Sequence, residues 1–118
     1  MATPKPGQAA RGSTTGRPIM VVLDLLGRRW TLRIGWELRE GPLPFRELQR
    51  RCEMASPNML TTRLRETMDA GLVEKRDDGA YALTSRGKSL LEVLSPLDRW
   101  AKRWAADLSK LPASGRTR

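Results

Sequence analysis

The sequence predicts a mainly α-helical fold with a small β-hairpin (α+β), and three stretches carry that prediction. Residues 56–71, SPNMLTTRLRETMDAG, form a helix with both ends written in: Ser56 suits the N-cap, Pro57 the first helical position, and Gly71 the left-handed position past the C-terminus. Leu60, Leu64 and Met68 recur every four residues as one apolar stripe, and Asn58, Met59, Thr62, Arg63 and Glu66 fall on the opposite face. Residues 72–77 and 80–84, LVEKRD and AYALT, read as two strands joined at Asp78-Gly79, a pair that tolerates positive φ. Near the end of the chain Leu97, Trp100, Ala101, Trp104 and Leu108 form an apolar stripe at spacings of three and four.

Composition narrows the classes. The 118 residues fit one domain, 39% hydrophobic and 30% charged, as expected of a soluble globular chain. The longest apolar run, residues 19–23, is far too short to span a bilayer, and no signal-type segment heads the chain, so a cytoplasmic protein is expected. Lys and Arg number 22 against 13 Asp and Glu, a formal net charge of +9, which points to a polyanionic partner. There is no histidine, and Cys52 is the single cysteine. Neither a zinc site of the usual Cys/His spacing nor a histidine-based triad can be assembled within one chain. No glycine-rich phosphate loop follows a strand. The chain is therefore not expected to be an enzyme, and neither metal nor cofactor is expected.

Taken in order, residues 1–17 lack the apolar area to offset ordering entropy and are expected to be a disordered basic arm. Residues 18–111 form the domain. Pro18 starts a short apolar helix that Gly27 ends, and a second helix is expected over residues 28–40. Its Trp30, Ile34 and Leu38 share one side while Leu32 and Trp36 lie well round from them, so this helix must be covered from two directions. Gly41, Pro42 and Pro44 break the chain, with Leu43 in a short extended piece. Residues 45–52, FRELQRRC, make two helical turns with Phe45, Leu48 and Cys52 inward and Arg46, Gln49 and Arg50 outward. After the strands, Thr84 or Ser85 caps a further helix. Ser95-Pro96-Leu97-Asp98 repeats the cap signature, so a new helix or a kink is expected there. Residues 112–118 are expected to be a disordered tail.

Two short helices joined by a brief turn at residues 53–55, the second N-capped and polar in its first turns, make a helix-turn-helix; followed by a hairpin, they make a winged helix. The outer face of residues 56–70 can then enter a DNA major groove. For the helix taken by itself, a polar face that is merely solvated remains open. Too little chain is left to cover the Trp-rich stripe of the last helix, so pairing with a second copy, through Trp36 as well as Leu97, Trp100, Ala101, Trp104 and Leu108, competes with packing inside its own domain.

The chain also resembles a known family. Residues 23–38, LDLLGRRWTLRIGWEL, are similar to the LxLLGGKWTLLILREL segment of the HxlR-type regulators, relatives of the MarR winged-helix group. Gly41-Pro42-Leu43 and Phe45 with Glu47-Leu48 resemble GPLRFSEL. Ser56-Pro57, Leu60-Thr61, residues 63–66 and Gly71-Leu72-Val73 resemble ISPRVLTQRLRELEEDGLV. Leu83-Thr84, Gly87 and Leu90-Leu91 match LTxxGxxLLPVL. The resemblance implies a homodimeric winged-helix transcription factor, with first and last helices forming the dimer and the Ser56 helix entering the major groove. Three positions depart from the pattern. Oxidant-sensing members carry a cysteine just ahead of the first helix, and this chain has none there, Cys52 standing instead at a core aliphatic position. The hairpin is shorter than the Pro-containing family wing, and Thr67 replaces a leucine that the adjoining Met68 can make up for.

The expected function is sequence-specific binding of double-stranded DNA. Arg46, Arg50, Lys75 and Arg76 neutralise phosphates, Ser56 and Pro57 open the helix toward one phosphate, and Asn58, Met59, Thr62 and Arg63 face base edges. Two-fold symmetry then predicts a pseudopalindromic operator with half-sites roughly 10 bp apart. A protein-interaction module whose basic faces bind an acidic partner is the alternative. For Trp36, Trp100 and Trp104, filling the dimer core and lining a cavity for a small planar effector both remain open.

Overall fold

The computed structural model describes residues 6–7 and 16–111. Most of the basic arm expected over residues 1–17 and the whole of the tail at 112–118 lie outside the described residues. Five helices and a two-stranded antiparallel hairpin follow one another as α1 (Pro18–Leu26), α2 (Thr31–Glu37), α3 (Phe45–Arg51), α4 (Pro57–Asp69), β1 (Val73–Lys75), β2 (Tyr81–Leu83) and α5 (Ser85–Ser109).

α1 starts at Pro18, whose missing N–H costs nothing in the first turn, and stops at Gly27, which donates back to the Leu23 carbonyl. The second helix begins at Thr31, not at the expected residue 28, because Trp30 takes a left-handed φ of 76°. Such a conformation is costly for a bulky residue. It lets α2 leave α1 at an angle, with Trp30 packed on the core and Arg28 turned inward. Ile34 and Leu38 are then buried, while Leu32 and Trp36 face out, in keeping with the two-sided pattern of the sequence.

Leu43 is extended, as expected, and exchanges both backbone hydrogen bonds with Tyr81 at 2.9 and 2.8 Å, adding an outer bridge to the hairpin. Pro42 and Pro44 flank it at positions that need no ladder donor, so neither disturbs the edge. In α4 the Ser56 hydroxyl accepts the Met59 N–H at 3.1 Å, and Gly71 sits at φ +78° beyond the last turn. Leu60 and Leu64 are buried and form one cluster with Ile34, Leu38, Leu48, Cys52, Ala55, Val73 and Leu83. Thr67 is buried too, its hydroxyl satisfied by the carbonyls of Arg63 and Leu64 at 3.0 and 2.9 Å. Met68 packs against the same cluster.

The hairpin pairs Val73 with Leu83, Glu74 with Ala82 and Lys75 with Tyr81. Its tip is a longer loop than the expected two-residue turn. Arg76 donates to Ala80 at 2.7 Å, Gly79 donates to Arg76 at 2.9 Å, and of the tip residues Gly79 alone takes positive φ. A type I turn followed by a left-handed glycine fits the right-handed twist of the strands as well as a two-residue turn does.

Thr84 caps α5 by accepting the Gly87 N–H at 3.1 Å and donates to the Gly71 carbonyl at 2.6 Å, which locks the start of α5 to the end of α4. α5 is continuous through Pro96, so of the two expectations the new helix does not form there. Ser95 does not act as a cap; its hydroxyl donates back to the Leu91 carbonyl at 3.3 Å, inside the helix.

Gly87 lies where α5 crosses the end of α4, and a Cβ there would fall 2.1 Å from the Leu72 carbonyl oxygen. Gly87→Ala is expected to destabilise the fold by about 1–3 kcal/mol through overpacking against backbone, read as a lower midpoint in urea denaturation.

Candidate nucleic-acid interface

The interface is built from α3, the turn after it, the first turns of α4 and the hairpin. The turn places Glu53 and Met54 consecutively in the left-handed region, at φ 56° and 61°. Two such residues cost of order 1–3 kcal/mol each and persist only where the surroundings over-determine them. Here the Arg33 guanidinium does so from α2. It donates to the Glu53 carboxylate at 3.0 Å, to the Arg51 carbonyl at 2.6 Å and to Glu37 at 2.7 Å. From α3, Gln49 donates to the Ala55 carbonyl at 2.8 Å while its own carbonyl accepts the Met54 N–H. The angle between α3 and α4 is thereby held from both sides.

α4 presents a face that departs from the expected one at its flank. Ser56, Pro57 and Asn58 are exposed at its N-terminus, Met59 and Thr62 are half-buried beside them, and Thr61 and Arg65 are exposed. Glu66, placed on the outer face by sequence, is instead 5% exposed. It accepts from Arg28 at 2.7 Å and from Arg63 at 3.0 Å, while Arg28 also reaches Asp24 of α1 at 3.3 Å. Arg63 is likewise turned inward, its Nε donating to the Arg29 carbonyl at 2.7 Å. In the free chain Arg63 is thus held inward and not extended as expected: a buried carboxylate needs partners, and Arg63 supplies one. Arg65 makes no side-chain bond among the described residues. It lies one turn beyond Thr61 and nearer the antipode of Leu60 and Leu64 than Arg63 does at about 100° per residue, the sequence signal that could have singled it out.

Of the expected phosphate contacts, Arg46, Lys75 and Arg76 are exposed, with Lys75 Nζ 5.7 Å from the centre of the Tyr81 ring. Arg50 is exposed but paired. With Arg51 it binds Glu47, and the two guanidiniums, Arg50 first, hold the Glu47 carboxyl down to about 2. Arg50 therefore has to exchange this partner to meet a phosphate. Cys52 is buried at 0% exposure, and burial pushes its thiol up from its ordinary value, which makes it a poor nucleophile.

The apolar positions outside the core divide. Trp36 joins Leu32, Leu91, Leu94, Leu97 and Ala101 in a groove of about 440 Å³ between α2 and α5, and the Arg39 guanidinium lies 4.0 Å over its ring. Trp100 and Trp104 do not line this groove of the single chain. They stack on each other at 5.6 Å along the outer edge of α5, where both indoles and Leu97 are more than half exposed; Leu108 is half-buried.

The HxlR-like helix-turn-helix family model matches residues 25–109. The chain belongs to that family. Among its relatives, the HTH-type transcriptional regulator YodB of Bacillus subtilis is 31% identical over 96 residues, covering 76% of this chain and 86% of YodB. The crystal structure of quinone-bound YodB matches with a TM-score of 0.68 at 33% identity, over 72% of this chain and 96% of that one. A transcriptional regulator of the MarR family from Enterococcus faecalis V583 matches with a TM-score of 0.71 at 30% identity, over 79% and 90% of the two chains. The chain is thus a winged-helix, DNA-binding transcriptional regulator in a family of regulators, not of enzymes. Among its described residues no helix is long and apolar enough to cross a membrane.

Replacing Glu66 by Ala removes the carboxylate that Arg28 and Arg63 share, leaving two largely shielded guanidiniums with Asp24 as their one remaining acidic partner among the described residues. Glu66→Ala is expected to cost about 3–5 kcal/mol, while Glu74→Ala on the exposed strand stays within about 0.5 kcal/mol. Chemical denaturation of the two variants checks the contrast.

Proposed function

We propose that this regulator works in the cytoplasm as a homodimer on a pseudopalindromic operator, with α4 of each copy in the major groove and half-sites roughly 10 bp apart. The observation that carries the reading is the N-terminal half of α4. Its N-cap is satisfied, its inner stripe is buried, its outer side chains Asn58 and Thr62 make no side-chain bonds among the described residues, and Arg46, Lys75 and Arg76 on the neighbouring elements are exposed. Ser56 and Pro57 bring the helix N-terminus toward a phosphate, and Met59 offers an apolar contact for a thymine methyl. Arg46 and Arg50 on α3, with Lys75 and Arg76 at the hairpin, bind flanking phosphates.

Homodimerisation is supported by the apolar surface this chain leaves open. Leu97, Trp100 and Trp104 are 56%, 51% and 52% exposed, and Ile19 and Leu23 of α1 are 61% and 52% exposed. Ala101 and Leu108 continue the α5 stripe. Apolar area on this scale along the first and last helices is what a second copy would cover. The groove between α2 and α5, with Trp36 at its wall, suits a small planar effector whose binding shifts the spacing of the two α4 helices. That a relative has been solved with a quinone bound supports this role.

Four cations per subunit, doubled in the dimer, predict that log K for the operator falls with log salt at a slope of about −7, measured by fluorescence anisotropy of a labelled duplex. Trp104→Glu, paired with Leu97→Glu, is expected to give a folded monomer by sedimentation and to weaken operator affinity at least about tenfold. A flat salt dependence would reject the DNA-binding mode, and an unchanged sedimentation coefficient would reject this interface.

A further inference from the structure

We propose that Arg65, together with Thr61, completes the base-reading face of α4, and that Arg63 belongs to the scaffold that holds this helix. The inference rests on the DNA-binding reading above and assigns the readout to residues that reading leaves out.

The geometry separates the two arginines. Positions three, four and seven apart share one side of a helix, so Asn58, Thr61, Thr62 and Arg65 form one row along α4. Asn58, Thr61 and Arg65 are exposed, Thr62 is half-buried, and none of the four makes a side-chain hydrogen bond or ion pair among the described residues. Arg63 stands off the row. Its side chain is 16% exposed and engaged at both ends, with the Arg29 carbonyl at 2.7 Å and with Glu66 at 3.0 Å. Drawing Arg63 out to a base would break its bond to the exposed Arg29 carbonyl and strip the buried Glu66 of one of its two cations, the second a desolvation cost that no contact in the folded chain offsets. Arg65 can extend without breaking any bond.

The chemistry follows from the row. Asn58 at the start of α4 matches the N6/N7 edge of adenine, the Thr61 and Thr62 methyls match a thymine methyl, and the Arg65 fork matches O6 and N7 of guanine. At 1.5 Å rise per residue, Asn58 and Arg65 lie about 10 Å apart along the helix. That separation is about three base-pair steps at roughly 3.4 Å each. The predicted half-site therefore holds a guanine about three steps from an adenine.

Selection of bound duplexes from a random pool tests this with the full-length wild type, Arg65→Ala, Thr61→Ala and Arg63→Gln, the last keeping donors for the Arg29 carbonyl and Glu66. The wild type is expected to enrich a two-fold symmetric motif. Arg65→Ala should lose preference for one G·C pair per half-site by about tenfold or more, keep the other positions and melt at the wild-type temperature. Thr61→Ala should relax an adjacent position, and Arg63→Gln should keep every preference while melting lower. A motif unchanged by Arg65→Ala overturns the inference. So does a loss of affinity equal across all sequences with a salt slope smaller by about one, which would mark Arg65 as a phosphate contact. Arg63→Gln that flattens one position also overturns it. A wild type that enriches no duplex overturns the DNA-binding reading and this inference with it, whereas an intact motif that ignores Arg65 overturns the inference alone.

Discussion

The shared carboxylate of Glu66 governs how α4 sits. It is buried on α4, where no ionised group is tolerated without partners, and its partners come from two places: Arg28 at the junction of α1 and α2, and Arg63 one turn earlier on α4 itself. Arg28 in turn reaches Asp24 on α1. Such a cluster adds little net stability over a well-packed apolar alternative, but it is intolerant of misplacement, because a slide or rotation of α4 separates charges that have no water to fall back on. The apolar contacts of Leu60 and Leu64 hold α4 down, and the ion cluster sets its rotation about its own axis.

A second polar device acts on the other end of α4. Arg33 spans from α2 to the turn, satisfying Glu53 and the Arg51 carbonyl where two successive residues are left-handed. The start of α4 and its middle are therefore both tied to the α1–α2 unit by arginines. α1 and α2 also carry exposed apolar residues, Ile19, Leu23, Leu32 and Trp36. The same two helices thus hold α4 and, in the proposed dimer, meet the second copy, so a change in how the copies pack has a short and rigid route to α4.

Much of this architecture was legible in the chain because it is local. Ser56 and Thr84 announce their helices by side-chain caps, the Leu60–Leu64 spacing marks the inward stripe, and a glycine marks the hairpin tip. The rest depended on partners distant in sequence. Nothing near Glu66 reveals that Arg28, 38 residues away, will cover it, so a carboxylate on the flank of a helix reads as solvated. Arg63 followed it inward, since a long side chain at the edge of a face can turn either way and only its partner decides. Trp30 hid a turn inside a run that reads as helix, and the Ser95-Pro96 cap signature lay within a helix that did not stop. There the preceding turn was already formed, so the proline removed one donor without ending the helix.

Among the described residues the outward row of α4 makes no side-chain bonds, and this has a consequence for the protein's history. Asn58, Thr61, Thr62 and Arg65 make no side-chain hydrogen bond among the described residues, whereas Arg28, Arg63 and Glu66 are committed to one another. Replacement in the first group is expected to leave folding almost untouched, and replacement of Glu66 to destabilise it. A duplicated copy of such a gene could therefore drift to a new target sequence one side chain at a time, every intermediate a fully folded protein.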